Sequence, residues 1–94
     1  MATVVIQNRV DDYDRWHAVF TEMEAFRRRH GATGHRVYRG SVDPNAVVIL
    51  TDYPAPDDAQ AVVQDPELRA AMERAGVQGP PQIWIMDEVE AKSY

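Results

Sequence analysis

Two stretches of this chain carry no polar side chain at any position: Ala46-Val47-Val48-Ile49-Leu50 and Ile83-Trp84-Ile85-Met86. Successive side chains of a β-strand point to opposite faces, so a strand with one wet face alternates apolar and polar residues. These two do not alternate, and both of their faces need cover. A chain of 94 residues has few elements to spare for that purpose.

The remaining elements follow from spacing and punctuation. Residues 3–10 (Thr-Val-Val-Ile-Gln-Asn-Arg-Val) read as a β-branched strand. Asp11, Asp12 and Asp14 then suit the start of a helix, where side-chain oxygens cap free amides and complement the dipole. Trp16, Val19, Phe20, Met23 and Phe26 recur at three- and four-residue steps, which is one apolar helix face. Arg27-Arg28-Arg29-His30 reads as a solvated basic end, with Gly31 as the stop. Residues 34–40 form a second strand, and Asp43-Pro44-Asn45 turns it back into the apolar strand over 46–53. Short helices are expected over 57–64, capped by Asp57 or Asp58, and from Pro66 to about Ala75. Gly79-Pro80-Pro81 reads as a stiff connector before a last strand over 82–88.

The order β-α-β-β-α-β, with right-handed crossovers, predicts a ferredoxin-like α+β domain over residues 1–94. Its sheet is four-stranded and antiparallel, with the helices on one face. The other face receives one parity of each strand, and either parity of the two stretches above is apolar. A second copy is the expected cover, packed sheet to sheet as a homodimer. A chain this small buries only roughly 60–65% of its unfolded surface, so association adds stability.

Composition narrows the function. A net charge of −5 argues against nucleic acid or an anionic membrane as partner. With no cysteine there is no disulfide framework, thiolate nucleophile or thiolate metal site. Three scattered histidines do not make a zinc site, and no phosphate-binding glycine loop, nucleophile elbow or dinucleotide fingerprint occurs. No metal and no cofactor are expected. No basic-then-apolar leader opens the sequence, and no apolar run nears the ~20 residues that span a bilayer, so a cytoplasmic protein is expected.

The sequence resembles the dimeric α+β barrel superfamily, near the antibiotic biosynthesis monooxygenase-like proteins. The resemblance lies in Val10-Asp11-Asp12-Tyr13-Asp14-Arg15-Trp16, in Gly34-His35-Arg36-Val37-Tyr38-Arg39, and in Asp65-Pro66-Glu67-Leu68 through Gly79-Pro80-Pro81. It implies a small-molecule pocket between helices and sheet. Relatives tend to carry histidine where this chain has Asn8 and Met23. The haem-degrading branch is similar at Asn8-Arg9, but it requires a histidine and a tryptophan near the places of Met72 and Val62.

Within that frame, Asn8 ends the apolar row Val4, Ile6, and is either an amide that orients a substrate oxygen or one that satisfies the strand end. His35 is either a proton-transfer group or a hydrogen-bonded residue at the sheet edge. Trp16, Phe20, Met23 and Met72 are expected along the pocket wall, and Tyr13 at its entrance. The resemblance implies a cofactor-independent monooxygenase or cyclase acting on an aromatic or polyketide-like molecule through an enolate or carbanion. The competing expectation is a non-catalytic homodimer that binds a small ligand.

Overall fold

The computed structural model describes residues 1–94. The chain runs β1 (Ala2–Val10), α1 (Tyr13–Glu22), α2 (Glu24–Arg29), β2 (Gly34–Arg39), β3 (Ala46–Tyr53), α3 (Pro56–Gln64), α4 (Pro66–Arg74) and β4 (Val77–Met86). The strands form one antiparallel sheet in the order β2-β3-β1-β4. This is the expected β-α-β-β-α-β arrangement, with each crossover built from two consecutive helices.

Local chemistry sets the helix starts. Asp12 accepts a hydrogen bond from the Arg15 amide at 3.2 Å, and Asp65 accepts one from the Glu67 amide at 2.9 Å. The third start differs from expectation. Ala55 caps α3 without a side-chain bond, and Asp57 and Asp58 lie inside its first turn, where they complement the dipole. The long helix expected after Asp11 breaks at Met23, and the second piece buries the adjacent residues Phe26 and Arg27 together.

Strand register sorts the side chains. Val4, Ile6, Asn8 and Val10 of β1 share the buried face with Val47, Ile49, Thr51 and Tyr53 of β3. Helices cover that face, and the core lies between the two layers. On the other face Val5 stands between Leu50 and Trp84, and Val48 stands beside Tyr38. Tyr38, Trp84 and Met86 are 56%, 40% and 48% exposed there.

β4 corrects the expected connector. Val77 pairs with Val10 and Gln78 with Arg9, so Gly79-Pro80-Pro81 lies inside the strand and bulges opposite Asn8. An edge strand tolerates prolines because one side of it needs no amide donors, and Gly79 takes the positive φ of 70°. No helix is long and apolar enough to cross a membrane.

Candidate functional site

A cavity of about 70 Å³ lies between the sheet and the helices. Its floor is Val4, Ile6 and Asn8 from β1 with Ile49, Thr51 and Tyr53 from β3. Its roof carries Trp16, Val19, Phe20 and Met23, then Phe26 and Arg27, with Val62, Leu68 and Met72 closing the far side. Trp16 and Phe20 stack at 5.1 Å between centroids and 22° between planes, which gives the roof a flat aromatic panel.

Polar atoms stand at two ends of this apolar space. Asn8 is 5% exposed, and its Oδ1 has no hydrogen-bond partner. Thr51, Tyr53 and Arg27 mark the other end. Thr51 pairs with Val4, four residues from Asn8 along β1, and at ~3.3 Å per residue the two ends lie roughly 13 Å apart.

Arg27 is 8% exposed, and its Nη2 has no partner. Its guanidinium carbon sits 3.8 Å from the Phe20 ring centre. Burial pushes its pKa down, while the neighbouring Tyr53 phenol oxygen and the Glu24 carboxylate act in the opposite direction. The Glu24 carboxylate is itself engaged with Arg28 at 3.2 Å. Burial raises the Tyr53 phenol to about 12, against the pull of Arg27, so it stays protonated at neutral pH.

The expected site residues are thus divided. Asn8, Trp16, Phe20, Met23 and Met72 line one cavity. His35 and Tyr13 do not. His35 pairs with Thr51 and so lies on the helix side of the sheet, but β2 is an edge strand beyond the helical roof. The His35 ring meets Phe20 at 4.9 Å between centroids, is solvent-exposed, and belongs to a surface depression with Glu24, Arg28 and Arg27, which thus lines both this depression and the cavity. Burial first, then the charge of Arg27, lowers its pKa. Tyr13 stacks on His17 at 5.7 Å, with the Arg39 guanidinium 4.1 Å from its ring centre, a contact that ties α1 to β2 outside the cavity.

Arg27 is the residue that sequence reasoning missed, since it was read with Arg28 and Arg29 as a solvated run. Its signal was the spacing Trp16, Phe20, Met23, Arg27, which places it on the apolar helix face. His30 also leaves the surface, bonding to Asp65 at 3.1 Å. No three His, Asp or Glu side chains converge as metal ligands do.

The same architecture recurs among solved structures. SnoaB, a cofactor-independent oxygenase from Streptomyces nogalater, superimposes with a TM-score of 0.78 at 16% identity, covering 96% of this chain and 94% of SnoaB. The fold is that of the antibiotic biosynthesis monooxygenase-like proteins. A candidate antibiotic biosynthesis monooxygenase from Bordetella bronchiseptica matches with a TM-score of 0.78 at 15% identity, covering 95% of this chain and 97% of that one. A conserved protein from Methanosarcina mazei gives 0.71 at 12%, covering 90% and 89%. At these identities the antibiotic biosynthesis monooxygenase-like likeness is one of fold. No protein-family model matches the sequence, and no curated protein matches it.

Proposed function

We propose that the cavity binds a flat, hydroxylated aromatic or polyketide-like molecule, and that the chain oxygenates or cyclises it without a bound cofactor. The observation that carries this reading is the cavity itself: an aromatic-walled space with unpartnered polar atoms of Asn8 and Arg27, each at least nine-tenths buried. A buried polar group left unpaired costs about 1–3 kcal/mol, so a ligand that pairs both recovers that cost. The space is smaller than such a ligand, and Met23 and Met72, which repack readily, provide the slack.

The chemistry rests on the acidity of the substrate. Arg27 favours an anionic ligand, and at the opposite end the Asn8 Nδ2 amide donates to the enolate oxygen while its Oδ1 accepts from a neighbouring substrate hydroxyl. The proton leaves to water, because no base lines the cavity and His35 is outside its lining. In the oxygenase form the carbanion adds to dioxygen, forming a C–O bond and a peroxide that takes up a proton. The remaining C–H proton is then lost as the O–O bond breaks, hydroxide takes up a proton and departs as water, and the former methylene carbon becomes a carbonyl. One dioxygen is consumed per substrate, and no external reductant is needed. A ring closure would use the same enolate. The description of SnoaB as a cofactor-independent oxygenase supports this choice.

A second reading has one observation in its favour. The titratable groups of the cavity are Arg27 and Tyr53, neither of which is a base at neutral pH, and a non-catalytic ligand-binding protein needs none. Oxygen uptake with 1,8-dihydroxyanthrone separates the two. The oxygenase consumes dioxygen stoichiometrically without added flavin, haem or metal, and Asn8→Leu loses at least tenfold in rate. Tight binding of the anthrone without uptake or ring closure would leave the binding protein. His35→Gln is expected to stay within about threefold of the wild-type rate.

The apolar face opposite the helices supports a homodimer, with a second copy laid sheet to sheet over Val5, Leu50 and Trp84.

A further inference from the structure

No carboxylate lines the cavity beside Arg27, and the Glu24 charge reaches it only from the surface depression that both residues line. The Arg27 Nη2 is unpartnered, its guanidinium lies on Phe20, and the nearby acid, Glu24, is bonded to Arg28. Tyr53, the other titratable neighbour, stays neutral. A buried cation in this position is costly unless something anionic arrives to pair with it. At the far end Asn8 Oδ1 is equally buried and unpartnered, and as a carbonyl oxygen it accepts hydrogen bonds. Between the two ends the lining is apolar or aromatic.

We propose that the ligand is a carboxylic acid: its carboxylate pairs with Arg27, a flat apolar body of about two rings lies under Trp16 and Phe20, and a hydroxyl at the opposite end donates to Asn8. This specifies the substrate class of the cavity described above and rests on that cavity being the ligand site. A carboxylate is preferred to a phenol because a free phenol ionises only near pH ~10, whereas a carboxylate meets the standing charge at neutral pH. The guanidinium fork also matches the geometry of a carboxylate. With the acid group held beneath α2, the hydroxylated ring falls at the Asn8 end, where the amide offers a donor and an acceptor side by side.

The test is calorimetric titration at pH 7.5 with three probes: 6-hydroxy-2-naphthoate, its methyl ester, and 2-naphthoate. The wild-type chain is expected to bind the hydroxy acid at least tenfold more tightly than the ester, and more tightly than 2-naphthoate. Arg27→Met is expected to erase the preference for acid over ester. Asn8→Leu is expected to erase the preference for 6-hydroxy-2-naphthoate over 2-naphthoate. If the wild type binds acid and ester alike, or if Arg27→Met keeps the preference, the carboxylate anchor is wrong and the cavity remains a ligand site. If none of the three probes binds, the anchor and the cavity reading fall together. The acid–ester comparison on the wild type requires no variant to fold.

Discussion

The guanidinium carbon of Arg27 lies 3.8 Å from the centre of the Phe20 ring, so a full positive charge rests on the aromatic wall of the cavity. The negative face of the ring offsets part of the cost of burial, by about 1–2 kcal/mol for a desolvated pair. It does not replace a counter-ion. The result is a helix end whose middle arginine faces solvent while its neighbour enters the core.

That arrangement predicts an unusual response to mutation. Arg27→Met keeps much of the packing against Phe20 and removes a buried, unpartnered charge. It is expected to leave stability unchanged or to raise it by up to about 2 kcal/mol. Arg27→Ala, which also deletes the stem, is expected to cost about 1–3 kcal/mol. Urea unfolding of the three proteins checks the order. A large loss in Arg27→Met would mean that the charge has a partner within the chain.

The same charge acts on His35. Burial and then Arg27 lower the imidazole pKa below its ordinary value of 6.5. The unfolded chain therefore binds a proton more readily than the folded one. This contribution to stability is fully present above pH ~6.5 and declines as pH falls from there towards the lowered folded value. Proton NMR titration of the His35 ring reads the shift directly. Its midpoint is expected below 6.5 in the wild type and nearer 6.5 in Arg27→Met. An unchanged midpoint in the variant would show that the two groups do not interact.

Much of this was legible in the sequence, for identifiable reasons. Doubly apolar strands gave the layer order, because 94 residues supply helices for only one face. Parity placed Asn8 correctly, since Val4, Ile6 and Asn8 alternate with Val5, Gln7 and Arg9 along a regular strand. Parity also put His35 on the helix side, but it cannot say where along an edge strand the helical roof ends. Three consecutive arginines concealed Arg27, because composition pointed to solvent while helical spacing pointed inward. Gly79-Pro80-Pro81 looked like a break for a comparable reason. The residues are poor strand formers, and only the edge position and the bulge admit them.

Gly76 carries a more local prediction. It joins α4 to β4 with φ of 77°, and a Cβ there would fall 2.2 Å from Asp11 Oδ1. Asp11 is held in turn by its backbone N–H, which donates to the Gly76 carbonyl oxygen at 3.2 Å, and by Arg15, whose guanidinium donates to its carboxylate at 3.4 Å. Gly76→Ala is expected to cost about 1–2 kcal/mol from the left-handed backbone alone. Thermal unfolding measures it. In Asp11→Ala the added cost of the clash disappears, so the glycine substitution is expected to be milder in that background.

The face opposite the helices carries the last prediction. Val5, Leu50 and Trp84 stand side by side across β1, β3 and β4, flanked by the exposed side chains of Tyr38 and Met86. Thr3 and Arg36 both donate to Asp52 at 2.7 and 3.3 Å, so the one acid on β3 within this face is already bonded and adds no free charge. An apolar sheet face left in water favours association, and a second copy offers a surface of matching shape and chemistry. Light scattering is expected to give twice the 10.7 kDa chain mass for the wild type. Trp84→Arg places an unpaired charge on the apolar contact face and is expected to shift the protein to the single-chain mass. Its helical circular dichroism should be retained, since the residue lies outside the core beneath the helices. A wild-type chain that runs at the single-chain mass at micromolar concentration would overturn the dimer.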